Sequence, residues 1–305
     1  MLGTYWTRRG RRRSRLGKVS VKVYPQQFEY VRPSSVEEAI GILSSNPDAK
    51  ILAGGHSLIP AMKLRLAAPG TIVDIGKIGG LSGIDASNGV KIGAMTTYAE
   101  IVSSDQLGAF PVLVEATKQV GDPSVRNRGT IGGSMAHSDP AADLTAVVLA
   151  LNGSVTVQGK SGSREIPVDD LFVGLLTTSL TEDEIITSVN IPNDFANAKA
   201  AYVKHPHPAS GYAVVGVAVA IKESGGVVES ARIAVTGAPE HAKRATSAEA
   251  ALIGKSLDAD SIAAAAAVAA DDLGELNGDV YASPEYRAHL VRVLTKRALT
   301  QAAGL

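Results

Sequence analysis

With 305 residues, 45% of them hydrophobic, the chain can bury two or three modest cores, and more than one domain is expected. It contains no cysteine. That excludes disulfides, thiolate nucleophiles, thiolate-bound zinc and the usual ligands of iron–sulfur clusters, so any redox metal in its chemistry must sit on another polypeptide. The net charge of zero hides an asymmetry: Arg8, Arg9, Arg11, Arg12, Arg13, Arg15 and Lys18 are set against a remainder of 23 basic and 30 acidic residues.

These basic residues form a leader, residues 1–22. No aromatic residues are interleaved with the arginines, and the acidic body offers no continuation of a nucleic-acid surface, so no nucleic-acid partner is expected. No apolar stretch follows the arginines as an export signal would require. The leader reads as an extension outside the fold.

Ser34 and Ser35 precede Glu37 and Glu38, and Ala39, Ile40 and Leu43 follow at helical spacing, which predicts a capped helix. Lys50–Ala53 reads as a strand running into Gly54-Gly55, and Thr71–Ile75 and Val90–Met95 as two more. Thr97 with Glu100 caps the next helix, and Pro111–Val120 predicts another. Residues Gly121–Asp139 read as a long loop rich in Gly, Asp, Ser, Arg and Asn, a length usually kept for function. Asp139 and Pro140 are expected to open the helix that ends near Asn152-Gly153.

From Ser154 to Ile191-Pro192 the pattern is strand-rich. Ala213–Ala220 and Ser230–Val235 then read as paired strands, with helices around 245–254, 261–273 and 284–303. Ile262–Ala270 is apolar but far shorter than the ~20 residues that span a bilayer, so no transmembrane segment is expected. The alanine run 263–270 reads as a closely packed core helix. The fold class is α+β, with domains over 23–197, split into two subdomains near 80, and 198–305.

Ala53-Gly54-Gly55-His56-Ser57 directly follows a strand. Consecutive glycines allow positive φ and leave amides free to converge on an anion such as a pyrophosphate; an ordinary structural turn is the alternative. Thr130-Ile131-Gly132-Gly133-Ser134 supplies a second turn of the same kind. Two such turns suit a dinucleotide held from both sides, although the spacing is not that of a Rossmann fingerprint. Gly55 and Gly133 are expected to be the least replaceable positions. Arg126 and Arg128 are either surface charge or a pin for the loop, and Asp143 either structural or an acceptor for an adenine or ribose donor. Lys204 and Tyr212 flank the boundary between the two regions. His205 and His207 around Pro206 read as loop residues in preference to metal ligands.

Residues 51–57 (ILAGGHS), the following Leu58–Lys63, and residues 127–143 (NRGTIGGSMAHSDPAAD) resemble the paired FAD signatures of the medium subunit of aerobic carbon monoxide dehydrogenase and its molybdenum hydroxylase relatives. The similarity continues through Tyr202-Val203-Lys204, Gly211-Tyr212-Ala213, Thr236-Gly237 and Glu285-Tyr286-Arg287, from about Phe28 to the C-terminus. It implies a two-part FAD-binding domain of the vanillyl-alcohol-oxidase-like type and a C-terminal domain of sheet plus helices.

The resemblance implies noncovalent FAD, its pyrophosphate on Ala53, Gly54, Gly55, His56 and Ser57 together with Thr130, Gly132, Gly133 and Ser134. It also brings Leu52, Ile131 and Ile186 into the cofactor set, with Asp143 at the adenosine portion and Lys204 and Tyr212 at the flavin. It further implies a small subunit with 2Fe-2S clusters, a large subunit with the molybdopterin cofactor, two copies of each chain, and a cytoplasmic complex with the inner membrane face as a peripheral location. On that view the chain passes electrons through FAD to quinone, NAD or another acceptor and holds no substrate pocket. A self-contained flavin oxidase, and a non-catalytic assembly module that kept the fold, are the rival readings.

Overall fold

The computed structural model describes residues 24–305; the basic leader lies outside them. Its first part is a small parallel layer. The elements β1 (Glu29–Val31), α1 (Val36–Ser45), β2 (Ala49–Leu52), α2 (Leu58–Lys63) and β3 (Thr71–Asp74) give a sheet of order β1-β3-β2. Ser35 starts α1 by accepting the Glu38 amide, while the Glu38 carboxylate reaches back to the amide and hydroxyl of Ser34. Ala39, Ile40 and Leu43 then fall on one face of α1 and are buried with Val73 and Ile75 in a core of their own.

The second part is an antiparallel sheet interrupted by helices. β4 (Ile84–Asp85) and β5 (Val90–Gly93) come first, followed by α3 (Tyr98–Val102), α4 (Pro111–Lys118), α5 (Pro123–Arg126), α6 (Ile131–His137) and α7 (Asp143–Ala150). β6 (Ser154–Gly159), β7 (Gly162–Pro167), α8 (Val168–Leu171), the hairpin β8 (Phe172–Gly174) and β9 (Thr177–Thr178), and β10 (Ile185–Ile191) complete it, in the order β4-β5-β10-β6-β7.

The last part is a four-stranded meander, β11 (Lys199–Pro206), β12 (Ala213–Ser224), β13 (Val227–Thr236) and β14 (Lys243–Arg244), with α9 (Thr246–Leu252), α10 (Ala259–Val268) and α11 (Pro284–Ala303). The apolar run of β12 is explained by burial on both faces. Val215, Val217, Val219 and Ile221 pack under α9–α11, while Ala218 and Ala220, with Ala234 of β13, belong to the core that holds α7. Strand periodicity places valines on one face and alanines on the other, and the small face lets a helix buried along its whole length lie close against the sheet.

Three sequence expectations are corrected here. Residues 121–139 are not a structureless loop, because α5 and α6 occupy most of it, each capped by its own side chain, Asp122 and Thr130. Helix α7 starts at Asp143 and not at Pro140, since Asp139 closes a turn by accepting the Ala141 amide at 2.8 Å. The alanine helix is buried on one face only, through Ala265, Ala266 and Ala269, while Ala263, Ala264 and Ala267 face solvent.

Polar contacts tie the meander to α7. Arg232 of β13 is only 8% exposed; its Nε donates to the Leu149 carbonyl at 2.9 Å, at the C-terminal end of α7, and its guanidinium also meets Asp169 of α8. A cation at that end complements the helix dipole. Arg232→Ala should lower unfolding stability by about 2–4 kcal/mol through the lost charge-assisted bonds. Denaturant titration of the cofactor-free chain measures it, and an unchanged midpoint contradicts the assignment.

Candidate functional site

The first glycine segment leaves the C-terminal end of β2 and enters α2. Gly55 has φ of +79°, and a Cβ there would meet Ile59 Cγ1 at 3.0 Å and Leu52 Cδ1 at 3.1 Å. Among the described residues, no acceptor takes the amides of Gly54, Gly55, His56 or Ser57, and His56 and Ser57 are exposed. Successive amides of this kind make an anion-binding concavity. Gly54 is constrained most: a Cβ on it would lie 2.1 Å from the Arg128 carbonyl oxygen and 3.0 Å from Gly129 Cα. The two segments separated in sequence therefore touch.

The second segment differs from the expected glycine turn. Thr130 is the N-cap of α6, its hydroxyl accepting the Gly133 amide at 3.2 Å, and Gly132 and Gly133 have helical backbone. Its other amides are already bonded, Ile131 to the Thr96 carbonyl at 3.1 Å, Gly132 to Ala94 at 2.9 Å and Ser134 to Thr130 at 3.0 Å. Glycine is needed here for packing. A Cβ on Gly132 would sit 2.4 Å from Ala94 Cβ, and one on Gly133 would face Thr130 Oγ1 at 2.8 Å and Ala53 Cβ at 3.6 Å. Ile131 is fully buried beneath. Buried Ile186 lies on β10 beside a bulge, next to Thr187, whose carbonyl accepts the Ala94 amide at 2.9 Å.

The meander supplies the charged end of the site. Asp143, 4% exposed, accepts the Tyr202 hydroxyl at 2.5 Å, and Lys204 Nζ lies 3.0 Å from Oδ1 and 3.2 Å from Oδ2. Lys204 also donates to the Gln119 carbonyl at 2.8 Å. Burial pushes the Asp143 carboxyl up, against the pull of Lys204 and Tyr202. Tyr212, 51% exposed, rides a turn closed by His207 N–H to its carbonyl at 2.7 Å. Burial raises its phenol, and Asp139 and Asp143 raise it further. Asp143 and Lys204 thus form an ion pair, although the resemblance assigns them to different ends of the cofactor.

The roles of several residues escaped the sequence reading. Tyr98 is 9% exposed, its hydroxyl beside Ser134; burial pushes it up to about 12. Its ring fills the place where Gly129 would carry a Cβ. Thr236 and Gly237 hold the turn before Asp143: the Gly237 amide donates to the Pro140 carbonyl at 2.5 Å, and the Thr236 hydroxyl to the Pro140 and Ala142 carbonyls. Buried Arg287 of α11 in turn donates to the Gly237 carbonyl at 2.9 Å. Arg126 is the pin, donating to the carbonyls of Val120 at 3.0 Å and Gly121 at 2.9 Å, whereas the Arg128 side chain is exposed. His205 lies on β11 with its ring beside Tyr281, and among the described residues no cluster of acidic or histidine side chains suits a metal.

Residues 26–194 match the family model of the FAD binding domain in molybdopterin dehydrogenase, and residues 200–302 that of the CO dehydrogenase flavoprotein C-terminal domain. The chain belongs to the FAD-binding medium subunits of the molybdenum hydroxylase family. It is 39% identical to the nicotine 6-hydroxylase medium subunit of Paenarthrobacter nicotinovorans, over 91% of this chain and 98% of that one. It is 38% identical to the glyceraldehyde dehydrogenase medium chain of Sulfolobus acidocaldarius, over 92% and 100%. The solved carbon monoxide dehydrogenase of Hydrogenophaga pseudoflava superposes with a TM-score of 0.88 at 40% identity, over 92% and 98%. Three relatives named for unlike substrates match almost equally, so the likeness fixes an FAD-dependent oxidoreductase subunit without choosing a substrate. No helix among the described residues is long and apolar enough to cross a membrane.

The unbonded amides of the first segment, and Gly54, whose Cβ position is filled by the second, fit a pyrophosphate cradle. Gly54→Ala should force the segments apart and raise the FAD dissociation constant about 10- to 100-fold, the cost of overpacking. Gly79→Ala, with open space around the new methyl, serves as the control. Equal FAD affinity in the two variants, measured by flavin fluorescence titration, contradicts the cradle.

Proposed function

We propose that the chain carries FAD with its pyrophosphate between the two glycine segments, receives electrons from 2Fe-2S clusters on a small partner subunit and delivers them to an external acceptor such as quinone or NAD. Substrate is hydroxylated at a molybdopterin centre on a large partner, with two copies of each chain in the complex. The observation that carries this reading is the row of unbonded amides at Gly54–Ser57, pressed against the second segment at Arg128. The lack of any cysteine supports it, since the chain has no thiolate for a cluster of its own.

When bound, FAD supplies a centre that accepts electrons singly and releases them in pairs. The chain's own residues bind and orient it. Gly54, Gly55, His56 and Ser57 donate amides to the pyrophosphate, with Ala53, Thr130, Gly132, Gly133 and Ser134 lining the same cleft. Leu52, Ile131 and Ile186 form its apolar support. We read Asp143 at the flavin end beside Lys204 and Tyr212, because the ion pair is 3.0 Å long and Tyr212 feels the same carboxylate. Tyr98 excludes water from beneath Gly129, and Tyr212, on its exposed turn, can cover the ring.

Gentle purification from the native host should give flavin absorbance near ~370 and ~450 nm comigrating with iron and molybdenum. A free flavin monomer without either metal contradicts the proposed complex. Steady-state turnover of aldehydes, alcohols or N-heterocycles by the isolated chain would support the self-contained oxidase instead.

A further inference from the structure

Asp143 is held by two residues of β11, and only one of them can fix its direction. Lys204 is nearly equidistant from both carboxylate oxygens and is shared with the Gln119 carbonyl, so it neutralises the carboxylate as a point charge without orienting it. Tyr202 is different. Its ring is locked in the core, and its hydroxyl donates to Oδ1 at 2.5 Å, a charge-assisted bond of fixed direction.

The fold reserves space for that hydroxyl. Strand periodicity puts Tyr202 and Lys204 on one face of β11, and Gly216 of β12 pairs with Lys204. A Cβ on Gly216 would lie 2.3 Å from the Tyr202 hydroxyl oxygen. With Oδ1 engaged by the phenol, Oδ2 has lone-pair capacity beyond its contact with Lys204.

We propose that Tyr202 is a positioning residue of the cofactor site: its phenol turns the Asp143 carboxylate so that Oδ2 is presented, ionised, to a hydrogen-bond donor of the bound flavin nucleotide. This rests on the FAD reading above. Tyr202 and Lys204 from β11 bond to Asp143, and the phenols of Tyr98 from α3 and Tyr212 from the turn after β11 feel its charge. Asp143 is therefore the member of the set that titrates in acid. Its carboxyl already lies above the ordinary value through burial, and Tyr202 works against that rise. Affinity that depends on the carboxylate is full above its pKa and falls as pH drops through it; loss of the phenol moves the fall to higher pH.

The test titrates the full chain with FAD by fluorescence quenching from about pH 8 down to about pH 5, with thermal unfolding of each cofactor-free variant alongside. Tyr202→Phe should raise the FAD dissociation constant about tenfold at neutral pH and more in acid. Gly216→Ala keeps the phenol but displaces it, and should reproduce the shifted pH profile; it also carries the test if Tyr202→Phe fails to fold. Wild-type affinity in Gly216→Ala, or a rise by the same factor at every pH in either variant, overturns the positioning role and leaves Tyr202 as packing only. Wild type that takes up no FAD overturns the reading of the site itself, and the wild-type arm alone reports it.

Discussion

Gly54 carries no side chain because the Arg128 carbonyl oxygen occupies the place where one would begin. That single approach joins a strand-to-helix turn in the first layer to the cap of a helix in the second, and the rest of the site is arranged around it. The amides of the Gly54 segment take no acceptor among the described residues. Gly129, behind the same carbonyl, must be bare to admit the Tyr98 ring, and Gly132 must be bare for α6 to lie on Ala94. Each glycine is explained by a neighbour's atoms, and only Gly55 among those of the two segments needs a positive φ.

The three layers contribute different physics. The first offers unbonded backbone donors, which can bind an anion without a desolvated charge of their own. The second offers rigid support, its amides already bonded to Ala94, Thr96 and Thr130. The meander offers charge and the means to hold it still, through Arg287 on Gly237, Gly237 and Thr236 on Pro140, and the turn that delivers Asp143 to Tyr202 and Lys204. A buried ion pair is a poor source of stability, since desolvation offsets most of its attraction, while breaking it by removing one partner costs about 3–5 kcal/mol.

Much of the fold was legible where local signals and burial agree. Thr97 with Glu100, Ser35 with Glu38 and the doubly buried run of β12 each announce their element, and ILAGGHS after a strand announces the turn. The helix α6 was not legible, because its first turn holds two glycines of low helix propensity and its cap, Thr130, reads equally well as a turn residue. Neither was the partnership of Asp143 with Lys204, nor that of Arg287 with Gly237, since contacts across such separations leave no local periodicity. The family resemblance implies different ends of the cofactor for Asp143 and Lys204, whereas the two side chains form an ion pair. The substrate is illegible from this chain for a simpler reason, that relatives named for nicotine, glyceraldehyde and carbon monoxide are almost equally similar.

The central claim is that the junction of the two glycine segments holds a pyrophosphate, which FAD and ADP carry and FMN, with its single phosphate, does not. Calorimetric titration of the cofactor-free full chain with FAD, with FMN, and with FAD in the presence of excess ADP tests it directly. The account predicts binding of FAD much tighter than FMN, with ADP competing for the same site. Equal affinity for FAD and FMN, with no competition from ADP, would contradict it.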